Sequence, residues 1–245
     1  MPEQVVVITG ASRGIGAGMA EQFAAMGLKL GLCARHQPTP PAASTAHCAA
    51  LDVTDAAAVD AFADAVAREL GPIDLWINNA GILEPIAPAR EIDPVAFQQL
   101  LNINVLGVFN GSRSFIRHRR QHGGGGVLIN ISSGAALRGV AGWSAYCASK
   151  AAVDRFSEAL ALEELEAGIR VLAVAPGVVD TEMQATIRAS SEDNFPGVER
   201  FRQMKASNQF NSAGFVAREL YAMAFDPARH PDTVVARVAN EWEQG

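Results

Sequence analysis

The chain is poor in cysteine, in charge and in long apolar runs. Its three cysteines, Cys33, Cys48 and Cys147, are odd in number and fall in no CxxC or His-paired spacing. That pattern excludes a disulfide framework and fits a reducing cytoplasm. None of the five histidines, His36, His47, His118, His122 and His230, belongs to a ligand-spaced cluster, so no metal is expected. No apolar stretch approaches the ~20 residues of a membrane span. The opening MPEQVVVITGAS carries neither part of a secretion signal, so a soluble, cytoplasmic protein is expected. With 20 basic and 26 acidic residues the net charge is −6, which argues against nucleic acid or an anionic membrane as partner. The only dense basic stretch, Arg117-His118-Arg119-Arg120, reads as the solvated end of a helix.

What the chain does have is a 49% hydrophobic composition and a regular alternation of segments. Short β-branched runs (5–8, 28–33, 73–77, 127–131, 169–174, 233–238) alternate with helix-period stretches (15–26, 55–70, 94–121, 145–167, 213–225). The runs are continuously apolar, as burial on both faces of a parallel sheet requires. Gly27, Gly71 and Gly168 sit where left-handed helix ends are expected, and Ser212 where an N-cap is. The reading is a doubly wound α/β sheet in a single domain over 1–245. Two stretches read as irregular: 37–45, where a crossover helix is expected, and 182–211, a polar, aromatic-dotted insertion resembling a substrate lid.

Thr9-Gly10-Ala11-Ser12-Arg13-Gly14-Ile15-Gly16 lies where the first strand passes to the first helix. Exposed N–H groups and the helix dipole favour a phosphate there. At the end of the second strand, where an acidic side chain would bind a ribose 2′-hydroxyl, stand Ala34 and Arg35. With Arg13, Arg35 offers two guanidinium groups for a 2′-phosphate, which points to NADP(H). Tyr146 and Lys150 are four residues apart on one helix face shared with Val153, Phe156 and Leu160. A nearby lysine charge would bring the phenol toward a general acid–base range. Ser132-Ser133 closes a strand at the carboxyl edge, where a hydroxyl could polarise a carbonyl; the surroundings match no hydrolase serine.

Together, Thr9-Gly10-x-x-x-Gly14-x-Gly16, Asn78-Asn79-Ala80-Gly81, Asn104, Ser133, Tyr146-x-x-x-Lys150 and Pro176-Gly177 resemble the short-chain dehydrogenase/reductase family, over about 4–225. The resemblance implies a seven-stranded, mostly parallel Rossmann sheet and catalysis by Ser133, Tyr146 and Lys150. It places a proton-relay water on Asn104. It also implies cofactor contacts from Gly10, Ser12, Arg13, Gly14, Ile15, Gly16, Arg35, Asp52, Val53, Asn79, Ala80, Gly81, Pro176, Gly177, Val179 and Thr181, besides Tyr146 and Lys150.

A narrower resemblance, to the sepiapterin reductase and benzil reductase group, rests on residues 175–184 and Met204-Lys205. Arg237 stands where sepiapterin reductases carry a pterin-anchoring acid, a departure that disfavours pterin. The expected activity is NADPH-dependent reduction of a small ketone or dicarbonyl, with Trp143, Met183 and Phe195 as candidate pocket walls. Alternatives are oxidoreduction of a 3-oxoacyl thioester, steroid or sugar, or a non-catalytic NADP(H) sensor. Family resemblance also implies a homodimer or homotetramer.

Overall fold

A computed structural model describes residues 4–243. Seven strands, β1 (Val5–Thr9), β2 (Lys29–Ala34), β3 (Ala46–Ala50), β4 (Ile73–Asn78), β5 (Val127–Ile131), β6 (Arg170–Ala175) and β7 (Val235–Arg237), form one sheet. Their order is β3-β2-β1-β4-β5-β6-β7, and every pair is parallel. The order reverses between β1 and β4, so the carboxyl ends of these strands border the crevice where open α/β sheets bind ligands. The helices are α1 (Gly14–Ala25), α2 (Ala56–Leu70), α3 (Pro94–Leu101), α4 (Gly107–Gln121), α5 (Ser144–Glu163), α6 (Glu182–Ala189), α7 (Val198–Ala206) and α8 (Ala213–Phe225).

The continuous apolar strands are explained by two cores. Val6, Ile8, Leu30, Leu75 and Ile77 meet Met19 and Phe23 of α1 and Phe215 and Leu220 of α8. Val5, Val7, Ile73 and Trp76 meet Val59 and Phe62 of α2, Phe115 of α4 and Leu160 of α5. Successive strand residues thus supply opposite faces, each buried Val or Ile contributing roughly 1.5–3 kcal/mol. A third cluster, with Leu83, Leu100, Trp143, Tyr146, Ile187, Phe195 and Val198, is built from segments beyond the carboxyl ends of β4, β5 and β6.

Several boundaries differ from the sequence reading. Strand β3 was hidden by small residues, Ala46-His47-Cys48-Ala49-Ala50, which hold an edge position only by pairing with β2. The 37–45 connection contains no helix; its prolines remove donors and disfavour helical φ/ψ before them. The expected 94–121 helix is interrupted by a π-helical turn, Asn102–Leu106. The 182–211 stretch, read as irregular, holds α6 and α7.

Gly27 (φ +78°) closes α1 as expected, its N–H donating to Ala24 O while Leu28 N–H donates to Phe23 O. The basic run is a solvated helix end only in part: Arg117 and Arg120 are exposed, whereas His118 is buried and Arg119 half-buried. Arg117 pairs with Asp60 and Arg120 with Glu164, and buried His118 accepts from Ile73 N–H. Arg119 donates to the carbonyls of Gly124, Gly125 and Ile73. Arg119 is thus the residue that caps the glycine loop at 123–126. Among the described residues no helix is long and apolar enough to cross a membrane, and no metal-ligand cluster occurs.

Candidate active site

The glycine-rich turn is anchored to the turn after β4. Thr9 Oγ1 accepts from the Asn79 and Ala80 N–H groups, each at 3.1 Å, and Asn79 Nδ2 donates to the carbonyls of Thr9 (3.0 Å) and Gly10 (3.2 Å). Closeness explains the glycines. A Cβ on Gly10, already at φ +68°, would lie 2.7 Å from Ala80 Cα, and one on Gly16 would lie 2.3 Å from Gly10 O. Helix α1 then starts without a side-chain cap, since Arg13 at the N-cap bonds no helix N–H. Asp55, Asp93 and Ser212 cap α2, α3 and α8. Its open first-turn donors and positive dipole end suit a phosphate, so the turn fits a dinucleotide pyrophosphate. Ser12, Arg13 and Gly14 are exposed at its crown, and Ile15 is half-buried.

The neighbouring strand ends present the other candidate positions. Arg35 follows β2, exposed and without a partner among the described residues. Arg13 forms an ion pair with Glu182, the first residue of α6. Beyond β3, Asp52 Oδ1 accepts from Thr54 N–H (2.9 Å) and Thr54 Oγ1 (2.8 Å), and Val53 O accepts from buried Asn110 Nδ2 at 2.9 Å. After β6 the chain passes Pro176, Gly177 and Val179 to Thr181, whose Cγ2 would stand 3.5 Å from a Cβ on Gly14. Thr181 is the N-cap of α6, yet its side chain caps nothing. This loop is clamped by Asn211, which donates to the carbonyls of Pro176 (3.0 Å) and Ala239 (3.1 Å) and bridges Val179. Asn211 was missed in sequence because an isolated polar residue carries no spacing signal.

The structure brings Ser133, Tyr146 and Lys150 together. Ser132 and Ser133 follow β5: Ser132 donates to Asp154, while Ser133 Oγ, accepting from Ala135 N–H at 3.2 Å, faces the Tyr146 phenol closely enough to favour its ionised form. Lys150 Nζ donates to Ile131 O at 2.8 Å and stands 5.8 Å from the Tyr146 ring centroid. A Cβ on Gly81 would lie 3.8 Å from Lys150 Nζ and 3.2 Å from Asn104 Oδ1, which sets the turn after β4 directly against this group. The Asn104 amide is fully engaged, accepting from Ile82 N–H (2.8 Å) and donating to Ile82 O (2.8 Å) and Ser149 Oγ (3.1 Å). It sits in the π-helical turn, a distortion frequent at functional sites.

The expected lowering of the Tyr146 pKa by Lys150 is not found. Burial pushes the phenol up to about 12, with the Ser133 hydroxyl pulling the other way. Desolvation of a phenolate outweighs an ammonium placed this far from the ring. Burial also brings Lys150 down to about 8, opposed by the Asp154 carboxylate. Asp154, one helical turn past Lys150, was the overlooked member of this face; the i+4 step after Lys150 was its signal.

The candidate walls Trp143 and Phe195 stack at 4.7 Å with 4° between planes, and Trp143 stands nearly perpendicular to Tyr146, at 5.8 Å. Phe201 tilts against both, and half-buried Met183 packs on the same cluster. The segment is tied at its base by Asp180, which pairs with Lys205 of α7 and, at 3.1 Å, Arg188 of α6. These cations hold the Asp180 carboxyl below the usual range, the Lys205 hydrogen bond being the chief cause. Three buried polar atoms here make no hydrogen bond, Trp143 Nε1, Gln184 Oε1 and Arg188 Nη1, the last being ion-paired with Asp180.

This parallel sheet, with an uncapped phosphate-type helix beside a Ser-Tyr-Lys group, defines a dinucleotide-binding oxidoreductase class. The family model for short chain dehydrogenases matches residues 4–192, and the chain belongs to that family, whose members use nicotinamide cofactors. The chain is 35% identical over 245 residues to a sorbitol dehydrogenase of Cereibacter sphaeroides, covering 97% of this chain and 95% of that one. It is 37% identical over 149 residues to an (S)-benzoin-forming benzil reductase of Bacillus subtilis, covering 60% and 61%. A 3-ketoacyl-(acyl-carrier-protein) reductase from Brucella melitensis, complexed with NADH, superposes with a TM-score of 0.81 at 29% identity, covering 96% of each chain.

Proposed function

We propose that this oxidoreductase reduces a small ketone or dicarbonyl to an alcohol with NADPH. The observation that carries the reading is the convergence of Ser133, Tyr146 and Lys150 beside the uncapped start of α1. Tyr146 is protonated across the physiological range, the form that can give a proton to a carbonyl oxygen as it becomes an alkoxide. Ser133 Oγ, close to that phenol, stabilises the developing charge. The bound dihydronicotinamide would supply the hydride to the carbonyl carbon. Lys150, tied to Ile131 O and facing Gly81, is placed to hold the nicotinamide ribose, and Asp154 favours its charged form. Asn104 serves as a positioning residue that fixes the turn after β4 against α5. The 182–211 segment acts as a lid over the substrate. A second reading, oxidation of a polyol, is favoured by the sorbitol dehydrogenase relative.

The preference for NADPH rests on Ala34 in place of an acid, and on Arg35 and Arg13. One charge-assisted bond to a 2′-phosphate corresponds to roughly 10- to 100-fold selectivity. Binding releases Arg13 from Glu182. Exposed Leu106, Phe109 and Leu162 along the π turn, α4 and α5 fit a homodimer or homotetramer. The test is loss of NADPH absorbance with ketones, diketones and polyol oxidation in parallel. Tyr146→Phe should lower kcat by about 10²- to 10⁴-fold while still binding NADPH. Reductive activity should decline above about pH 8, where Lys150 loses its proton. Retained turnover in Tyr146→Phe, or equal affinity for NADH and NADPH, would overturn the respective part.

A further inference from the structure

Two of the chain's indoles are buried, and they differ in one respect. Trp76 Nε1 donates to Asn78 Oδ1 at 2.8 Å inside the sheet's second core. Trp143 is 7% exposed, and its Nε1 has no acceptor at all. A buried donor left unpaired costs stability, and interiors rarely keep one without a use. Trp143 immediately precedes α5, and its ring stands 5.8 Å from the Tyr146 ring, nearly perpendicular to it. One further constraint fixes the indole: it lies parallel to the Phe195 ring with only 4° between planes, so its N–H direction is held rather than free to seek water.

We propose that Trp143 determines substrate specificity: its indole N–H binds a second oxygen, carried on the carbon next to the carbonyl that Tyr146 and Ser133 hold. The inference rests on the reductase reading above and sharpens it to one class, an aryl-bearing 1,2-dicarbonyl. Trp143 and fully buried Phe195 form an aromatic cluster beside Tyr146, on which half-buried Phe201 and Met183 pack as the members an aryl group could reach. At the base of the 182–211 segment both Arg188 and Lys205 are engaged by the Asp180 carboxylate. A polyol carries a hydroxyl on every carbon and would ask for donors and acceptors along its length. Among the described residues of this region the buried side-chain atoms without a hydrogen bond are Trp143 Nε1, Gln184 Oε1 and Arg188 Nη1, the last of which is ion-paired with Asp180. A site built to donate to one oxygen discriminates against the analogue that lacks it.

Trp143→Phe removes the N–H while keeping a ring against Phe195 and Tyr146. With NADPH, kcat/KM for benzil should fall about 5- to 150-fold, whereas that for the monoketone deoxybenzoin should change less than about threefold. An equal fall for both ketones, or no fall for either, overturns the proposal and makes Trp143 a packing element. A readout free of turnover separates this from the reductase reading. In a Tyr146→Phe background, calorimetric affinity of the NADPH complex for benzil should drop by the same factor on adding Trp143→Phe; unchanged affinity overturns the proposal. Turnover absent in the unmutated enzyme, with that affinity difference present, would remove the reductase reading and leave the recognition standing. Should Trp143→Phe not fold, the unmutated protein labelled with ¹⁵N-tryptophan decides. Benzil should move the Trp143 indole N–H resonance downfield and leave that of Trp76 in place; an unmoved Trp143 resonance overturns the proposal.

Discussion

The two sides of the site are held by different forces. On the cofactor side, Thr9, Gly10, Gly16 and Asn79 interlock through main-chain hydrogen bonds and contacts that no Cβ could enter. On the substrate side, α6 and α7 rest on stacked aromatic rings and on partly exposed ion pairs at Asp180. A phosphate-binding turn depends on backbone position to fractions of an ångström, so its sequence is confined to a few residue types. A wall of rings and surface charges tolerates exchange of side chains.

Acid should separate the two sides most strongly. Burial, with the neighbouring His122 and Arg119 charges, brings His118 down from its ordinary 6.5 to about 4, and neutral Nε2 accepts from Ile73 N–H at the start of β4. A base whose folded pKa is depressed contributes stability that is complete above about pH 6.5 and is lost as pH falls to about 4. The loss is about 3 kcal/mol, a fall in Tm of roughly 6–12 °C. Asp180, a carboxyl with a lowered folded pKa, keeps its contribution until pH drops below the ordinary carboxylate range. Scaffold stability should thus decline while the α6–α7 base stays paired. Thermal melts at pH 7 and pH 4 check this, and His118→Gln should flatten the difference; an equal slope in that variant removes His118 as the cause.

Gly16→Ala should cost about 1–3 kcal/mol and weaken cofactor binding, because the new methyl lands on Gly10 O and on Asn79 Nδ2. Paired melting and NADPH titration measure it, and an unaltered titration would show that the turn can yield. The smallest effect belongs to the substrate side. Lys205→Ala removes a half-exposed ion-pair partner of Asp180 and should change stability by less than about 1 kcal/mol, read as a Tm shift of a few degrees at most. A larger fall would show that the base of this segment is as tightly held as the cofactor turn, and would end the contrast.

Residue order alone determined the doubly wound sheet, because continuous apolar runs between helix-period stretches admit burial on two faces and little else. It also located the Gly10–Gly16 turn and the Tyr146–Lys150 face, since each spans only a few consecutive residues and depends on local spacing. Edge strand β3 escaped notice, as its small residues become a strand only when β2 supplies the partner. Asn211 acts through residues distant in the chain, so no local pattern marked it. Tertiary structure alone decided the protonation of Tyr146 and the unpartnered Trp143 N–H. Charge state and hydrogen-bond satisfaction depend on what burial removes from water, and burial is a property of the packed chain.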